Sequence, residues 1–328
     1  MKTLGNKYYI YQDIGTTYRD SSTMKSTSAV ALMIGMWVLS GWGGGVTQAA
    51  EPSPGSSFKE WCQQQASLSA ERRITVEVLL EEAGTSDCGR AAKNLLSRTE
   101  LILNNNQITD ISPLAGLTNL KTLQLLNNQI TDVSPLAELT NLETLVLENN
   151  QITDVSPLGE LTNLKWLLLN NNQITDVSPL AELTNLFLLN LNSNQITDVS
   201  PLAKLTNLIE LHLNSNQITD VSSLAKLTKL GGLYLDYNQI ADISSLARLI
   251  NLRGLYLNSN QITDVSPLAG LTNLQWLDLS NNQITDVSSL ARLTNLFLLN
   301  LKGNPIPSDS SADAQPTCPV NLPDVCKF

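Results

Sequence analysis

The chain has 328 residues, with 20 basic and 30 acidic side chains and a formal net charge of −10 at pH 7. Because phosphate backbones attract basic surfaces, this charge disfavours a nucleic acid as partner. The chain has one histidine and lacks G-x-S-x-G, H-E-x-x-H and P-loop motifs, so its residues indicate neither an enzyme nor a bound cofactor.

The first 50 residues have the features of an export signal. Residues 1–23 show no repeat and no clear periodicity, and we expect them to be an upstream extension, with translation starting at Met24. Lys25, an apolar run over 29–39 and small residues up to Ala50 form the pattern of a secretory signal peptide over 24–50. The alternative is an uncleaved membrane anchor, but the glycines at 41 and 43–45 weaken it, because a spanning helix needs about 20 mainly apolar residues. After cleavage we expect no insertion into a membrane.

Residues 51–57 form a linker rich in Pro, Ser and Gly, and residues 58–98 then predict helices. One helix is predicted over 74–83, closed by Gly84, and a second from about Gly89 to Leu96. The chain becomes repetitive directly afterwards, and the first turn of a stack needs a cover for its leucines and its strand edge. We therefore interpret 58–98 as an amino-terminal cap.

A 22-residue phrase, typified by LTNLKTLQLLNNQITDVSPLAE at 117–138, fills residues 99–304 without insertion. A regular step of this length predicts ten turns of a solenoid. The asparagine that closes each L-x-L-x-x-N core falls at Asn106, Asn128, Asn150, Asn172, Asn194, Asn216, Asn238, Asn260, Asn282 and Asn304.

The residues of one turn predict its local structure. Leu123 and Leu125 alternate with polar residues, so they point inward from a short strand while their neighbours face outward. The amide of Asn128 follows where the chain bends, and it can satisfy backbone groups that a buried turn would leave unpaired. Asp132 and Pro135 then suit the start of a short helical turn on the opposite side.

The phrase L-T-N-L-x-x-L-x-L-x-x-N-Q-I-T-D-V-S-P-L-A-x resembles the leucine-rich repeats of bacterial internalins. The resemblance covers residues 99–304 and implies an α/β solenoid, a right-handed horseshoe with ten short parallel strands on its concave face. It also implies a helical amino-terminal cap and a concave face that binds another macromolecule. Residues 305–328 break the phrase, and we expect a short disulfide-bearing carboxy-terminal cap there.

All four cysteines lie outside the repeats. Cys62 and Cys88 fall in the first cap and Cys318 and Cys326 in the second. Because the two ends of a ten-turn solenoid are too far apart for a cross-link, the predicted disulfides are Cys62–Cys88 and Cys318–Cys326. Disulfides at both caps agree with export, whereas free thiols in a cytosolic protein are the alternative. No zinc or other metal site is expected, because no C-x-x-C pair occurs.

Function is expected where the turns differ, on the outward side of the strands. Neighbouring strands lie about 4.8 Å apart, so aromatic residues at equivalent positions should stand side by side. The glycines at 232 and 254 precede two of these aromatics and predict a hollow beside them. The first predicted partner-binding patch contains His212, Tyr234, Tyr256 and Trp276, with Asp236 and Tyr237 at its rim.

A second predicted patch lies toward the amino-terminal half of the repeats and consists of Val146, Trp166, Leu168, Phe187 and Leu188. Exposed aromatic and aliphatic clusters mark binding surfaces, since Tyr and Trp dominate interface energetics. The simpler interpretation is that these are ordinary strand residues, because aromatics are good β formers.

The favoured function is therefore a secreted or surface recognition module without catalysis, a monomer that binds a protein, or else a glycan, through its concave face. The alternative is an intracellular scaffold or phosphatase-regulatory-type subunit, since cytosolic proteins of that class have similar repeats. A calcium-binding role for the repeat aspartates is disfavoured, because the G-G-x-G-x-D phrase of calcium-binding β-rolls does not occur.

Overall fold

The structure is a computed structural model that describes Pro52 and residues 56–307, 318–320 and 325–328. The predicted upstream extension and signal peptide therefore lie outside the described residues.

Within the described residues, three α-helices and one short 3₁₀ helix precede the repeats. Helix α1 spans Phe58–Gln63, the 3₁₀ helix spans Gln65–Ser67, α2 spans Ala70–Ala83 and α3 spans Cys88–Leu96. Helix α2 begins four residues earlier than predicted because Ser69 caps it, its side chain accepting the N–H of Arg72. It ends as predicted at Gly84, whose φ of 68° is left-handed. Helix α1 was not predicted from the sequence, although Ser57 and Glu60 form a capping box at its start.

The repeats build one parallel sheet in which each strand pairs with the next in sequence. The register never slips, so Leu123 pairs with Leu101 on one side and Leu145 on the other. The strands are β1 (Glu100–Ile102), β2 (Thr122–Gln124), β3 (Thr144–Val146), β4 (Trp166–Leu168), β5 (Leu188–Asn190), β6 (Glu210–His212), β7 (Gly232–Tyr234), β8 (Gly254–Tyr256), β9 (Trp276–Asp278), β10 (Leu298–Asn300) and β11 (Cys326–Lys327).

Short 3₁₀ helices return the chain on the side opposite the sheet. Asp132 accepts the backbone N–H of Ser134 at 2.8 Å, and the equivalent aspartate does so in the other turns. Hydrogen bonds from the backbone N–H and hydroxyl of Ser178 lower the pKa of Asp176. The 3₁₀ helices span Ser112–Leu114, Ser134–Leu136, Ser156–Leu158, Ser178–Glu182, Ser200–Lys204, Ser222–Lys226, Ser244–Arg248, Ser266–Gly270 and Ser288–Arg292.

A continuous column of leucine, isoleucine and valine side chains fills the space between the sheet and the 3₁₀ helices. Leu123, Leu125, Ile130 and Leu136 of one turn are each fully buried, as the alternation predicts. Because one turn cannot bury these side chains alone, stability comes from the contacts between neighbouring turns.

A ladder of buried asparagines closes the bend after each strand. The Asn172 amide donates to the carbonyl oxygens of Leu147 and Leu169 at 3.0 Å each, and its oxygen accepts the N–H of Ile152 at 3.0 Å. Each carbonyl is used twice, since the oxygen of Leu147 also accepts the amide of Asn150 at 3.0 Å. Each asparagine therefore ties its own turn to the preceding one, and the predicted role of the asparagines is confirmed.

Both ends of the stack are covered. Thr75 of α2 donates its hydroxyl to the carbonyl of Asp110 at 2.6 Å, and the Arg72 guanidinium meets the Asp110 carboxylate at 2.8 Å. A disulfide joins Cys62 to Cys88, and a second joins Cys318 to Cys326. Strand β11, which was not predicted, extends the sheet by pairing with β10. The predicted fold class is confirmed, with one more strand than the ten expected.

Candidate functional site

Three aromatic rings form a stack across β6, β7 and β8. The His212 and Tyr234 ring centroids lie 4.0 Å apart with an interplanar angle of 6°, and those of Tyr234 and Tyr256 lie 4.7 Å apart with an angle of 5°. The in-register parallel strands set this spacing, because equivalent positions repeat at the strand separation. We refer to His212, Tyr234 and Tyr256 as the central stack.

The hollow predicted beside the two tyrosines is absent from the structure. Gly232 and Gly254 are buried, and a Cβ atom added to either would lie 3.1 Å from Cε2 of the tyrosine two residues later. Residues i and i+2 of a strand share a face, so each ring folds back over the glycine of its own strand. The glycines thus make room for the central stack, and the prediction of a hollow is wrong.

Two tryptophan–phenylalanine pairs stand on either side of the central stack. Trp166 on β4 meets Phe187 edge to face, with centroids 6.4 Å apart. Trp276 on β9 meets Phe297 in the same way at 5.8 Å, and both interplanar angles are 60°. Both tryptophans are half-buried, whereas Phe297 is 67% exposed. We call these the first and second Trp–Phe pairs.

The aliphatic part of the second predicted patch is not exposed. Val146 and Leu168 face outward from their strands, yet only 2% and 4% of their surface is accessible. Equivalent side chains on adjacent strands press against each other along the sheet, so the middle of the row is covered. The prediction that Leu168 offers contact surface is therefore wrong, while Trp166 and Phe187 remain accessible.

Asp236 and Tyr237, the predicted rim of the first patch, follow β7. Tyr237 is 59% exposed and adopts φ of 55°, a left-handed conformation that bulky residues rarely take. The equivalent position holds Asn or Ser in the neighbouring turns, for example Ser215 and Ser259. An aromatic residue held in this conformation breaks the local rule of the repeat, which is typical of functional positions.

Acidic groups surround the central stack. Burial raises the pKa of Asp236 to about 6, opposed by a hydrogen bond from the N–H of Asn258 and reinforced by the charge of Asp278. Glu210 lies 3.4 Å from the His212 ring nitrogen. Within the described part of the chain, no basic side chain lies within salt-bridge distance of Asp236 or Asp278.

The described residues contain no cluster of three or more His, Cys, Asp or Glu side chains arranged to hold a metal ion. The repeat aspartates are instead engaged with the serines that follow them. Among the helices of the described ranges, none has the length and apolar character needed to cross a bilayer.

The sequence analysis missed two apolar residues of this surface, Phe297 and Ile209. Ile209, which directly precedes β6, is 40% exposed. Both occupy the position directly before a strand, whereas most residues of the predicted patches lie within the strands. For Phe297 a signal existed, because it follows Trp276 by 21 residues just as Phe187 follows Trp166.

Comparison with known families and structures identifies the repeat type. The family described as leucine-rich repeats in two copies matches residues 99–138, 118–160, 140–182, 162–204, 184–226, 206–248 and 228–270, and a second leucine-rich-repeat family matches 250–306. The solved internalin InlF of Listeria monocytogenes is 38% identical, over 72% of this chain and 76% of that chain, with a TM-score of 0.60. This chain is an internalin-like leucine-rich-repeat protein.

Other solved structures are similar to this leucine-rich-repeat protein. Internalin InlC2 of Listeria monocytogenes is 41% identical, over 65% of this chain and 92% of that chain, with a TM-score of 0.59. The Arabidopsis receptor kinase HAESA, solved with a peptide hormone and a co-receptor, is 28% identical over 63% of this chain and 38% of that chain, with a TM-score of 0.57. A comparison with curated protein sequences finds no match. Leucine-rich-repeat proteins of the internalin and receptor type mediate protein–protein interaction. The leucine-rich-repeat family and the internalins are typically non-enzymatic interaction modules.

Proposed function

We propose that this protein is a secreted or cell-surface recognition module that binds a protein partner through its concave face, from Trp166 to Phe297. The observation that carries the proposal is the central stack flanked by the two Trp–Phe pairs. None of these rings belongs to the leucine core that holds the solenoid together. His212 is only 7% exposed, so the accessible rings are those of the two tyrosines and the two Trp–Phe pairs. Large aromatic side chains on an accessible surface are the residues that most often dominate a protein interface.

A protein partner is favoured over a glycan. Flat aromatic groups and acidic side chains suit either class, but one similar structure, the receptor kinase HAESA, was solved with a peptide hormone bound. Similarity to internalins supports the same choice. A glycan remains the second class of partner, to be detected in the experiment below.

Export is supported by the sequence pattern at 24–50 and by the disulfides at both ends of the stack. Two observations on the native protein test it. A chain that begins near Glu51 and resists thiol alkylation without reductant supports export. A full-length chain that is readily alkylated favours the intracellular scaffold or phosphatase-regulatory subunit.

Capture from an extracellular or periplasmic extract tests the concave face. The purified oxidised protein is compared with a Tyr234→Ala, Tyr256→Ala, Trp276→Ala variant that unfolds at the same denaturant concentration. The control is Ile250→Ala, because Ile250 is 57% exposed and lies outside the strands, in the loop between the 3₁₀ helix Ser244–Arg248 and β8. We expect a partner that the parent and the control retain and the triple variant loses. A partner retained equally by all three would place the binding surface elsewhere.

A further inference from the structure

Two segments of the repeats, 161–191 and 271–301, differ at only five of their 31 positions. Much of this identity belongs to the common phrase, but Trp166 and Trp276 occupy a position where the intervening strands have Leu188, Glu210, Gly232 and Gly254. The segments differ at Lys165/Gln275, Leu168/Asp278, Asn170/Ser280, Pro179/Ser289 and Glu182/Arg292.

The near-identity of the two segments places two similar Trp–Phe pairs at equivalent positions of their turns. The first and second Trp–Phe pairs have the same edge-to-face angle of 60° and nearly the same ring separation. Trp166 on β4 and Trp276 on β9 are separated by five in-register strand steps. At about 4.8 Å per step the separation is roughly 24 Å at the backbone, and slightly less at the side-chain tips on a concave face.

The surface between the two Trp–Phe pairs carries mainly acidic side chains, and its aromatic rings lie close to the sheet. Among the described residues of β6–β9 and the two positions on either side of each strand, the charged ones are Glu210, Asp236, Asp278 and Arg253. The rings of Tyr234 and Tyr256 fold over the glycines of their own strands. Burying Asp236 without a neighbouring cation is unfavourable, which the raised pKa reflects. A partner that brings basic side chains to this surface relieves that cost.

The width of the surface favours an extended chain. Each strand contributes three residues, so the band between the pairs is only about 10 Å wide but runs across several strands. An extended chain repeats its side-chain direction every two residues, so residues i and i+6 face the same way about 20 Å apart. A helix needs about 14 residues to cover the same distance, and its diameter of about 10–12 Å with side chains would fill the whole width of the band.

We propose that the two Trp–Phe pairs bind one extended basic segment of the protein partner, with apolar side chains six residues apart and basic side chains between them. This proposal rests on the proposed function of the concave face and names the chemistry that the face recognises. The two anchors act together, because a segment held at the first Trp–Phe pair meets the second at a high effective concentration.

Fluorescence anisotropy with labelled synthetic peptides tests the proposal. The probe is a peptide of serine and threonine with phenylalanines at i and i+6 and two arginines between them. One matched control moves the phenylalanines to i and i+2, so that only one Trp–Phe pair is reached. A second control replaces both arginines with glutamates. The protein is used as parent, Trp166→Ala, Trp276→Ala and Ile250→Ala.

We expect the i, i+6 peptide to bind the parent at least about 10-fold more tightly than the i, i+2 peptide. Trp166→Ala and Trp276→Ala should each abolish this difference, whereas Ile250→Ala should leave it unchanged. The glutamate peptide should bind more weakly, and the gap should narrow at high salt. The comparison of peptides on the parent needs no variant, so it decides the question even where a variant unfolds.

Equal affinity for the two spacings, or no binding of the i, i+6 peptide, would overturn the proposal. Loss of binding with only one of the two tryptophan variants would overturn it as well. If the peptides fail while the Tyr234, Tyr256 and Trp276 variant still loses its captured partner, the proposed function stands and only the two-anchor segment is wrong.

Discussion

Replacing Asn172 with alanine tests the physical basis of the solenoid. The change leaves the buried N–H of Ile152 without its acceptor, at a cost of about 1–3 kcal/mol. The carbonyls of Leu147 and Leu169 each lose one donor but keep another, from Asn150 and Asn194, so each loss costs about 1 kcal/mol. The expected loss in free energy of unfolding is about 3–5 kcal/mol in total.

Urea unfolding followed by circular dichroism and tryptophan fluorescence measures this loss. Two signals are needed because a long repeat stack can unfold in more than one step. Asn185→Ala is the matched control, since Asn185 donates a single exposed hydrogen bond to the carbonyl of Thr162. The control should change stability by no more than about 0.5 kcal/mol. A loss below about 1 kcal/mol for Asn172→Ala would refute the assignment of the ladder as a structural element.

Three further changes have outcomes set by the structure. The folded-state pKa of Asp236 is raised to about 6 from 3.8, so the folded state binds the proton more tightly and parent stability should rise as pH falls from about 7.5 to 4.5. Asp236→Asn should remove that rise and, after a discount for solvent screening, increase the free energy of unfolding near neutral pH by about 1 kcal/mol. Equal dependence of the free energy of unfolding on pH in parent and variant would contradict this. Tyr237→Asn should relieve the strain of the left-handed backbone conformation and raise the free energy of unfolding by about 0.5–1 kcal/mol. The same change should weaken partner capture, and unchanged capture would mean that Tyr237 is not part of the binding surface. Replacing both Cys62 and Cys88 with serine removes a disulfide that joins residues 26 positions apart, and should lower the free energy of unfolding in urea by about 3.5 kcal/mol. A loss near zero would mean that the amino-terminal cap does not depend on this disulfide.

The periodic part of the fold could be predicted because each of its residues has one role. A step of 22 residues fixes the register, so the inward direction of Leu123 and the buried position of Asn128 follow from one turn alone. The capping aspartates were predictable for the same reason, since Asp132 needs only the serine two residues later. These contacts are local or repeat between adjacent turns.

What could not be predicted depends on contacts between unlike neighbours. Whether outward-facing Leu168 is accessible depends on how tightly the adjacent strands pack, and Gly232 yields a covered surface because Tyr234 folds onto it. Strand β11 pairs with β10 after a break in the repeat, and nothing in the phrase sets its register. The central stack was predicted as a neighbourhood of His212, Tyr234 and Tyr256, but its parallel geometry was not.

Site-specific photocrosslinking in the native organism tests most directly whether the concave face binds the partner. A benzophenone amino acid is placed at Phe187, Tyr237 or Phe297, within or next to the strands, and at Ile250, in the loop between the 3₁₀ helix Ser244–Arg248 and β8. We expect one crosslinked protein shared by positions 187, 237 and 297 and no such product from position 250. A crosslink from position 250 alone, or three unrelated products from the other three positions, would contradict this expectation.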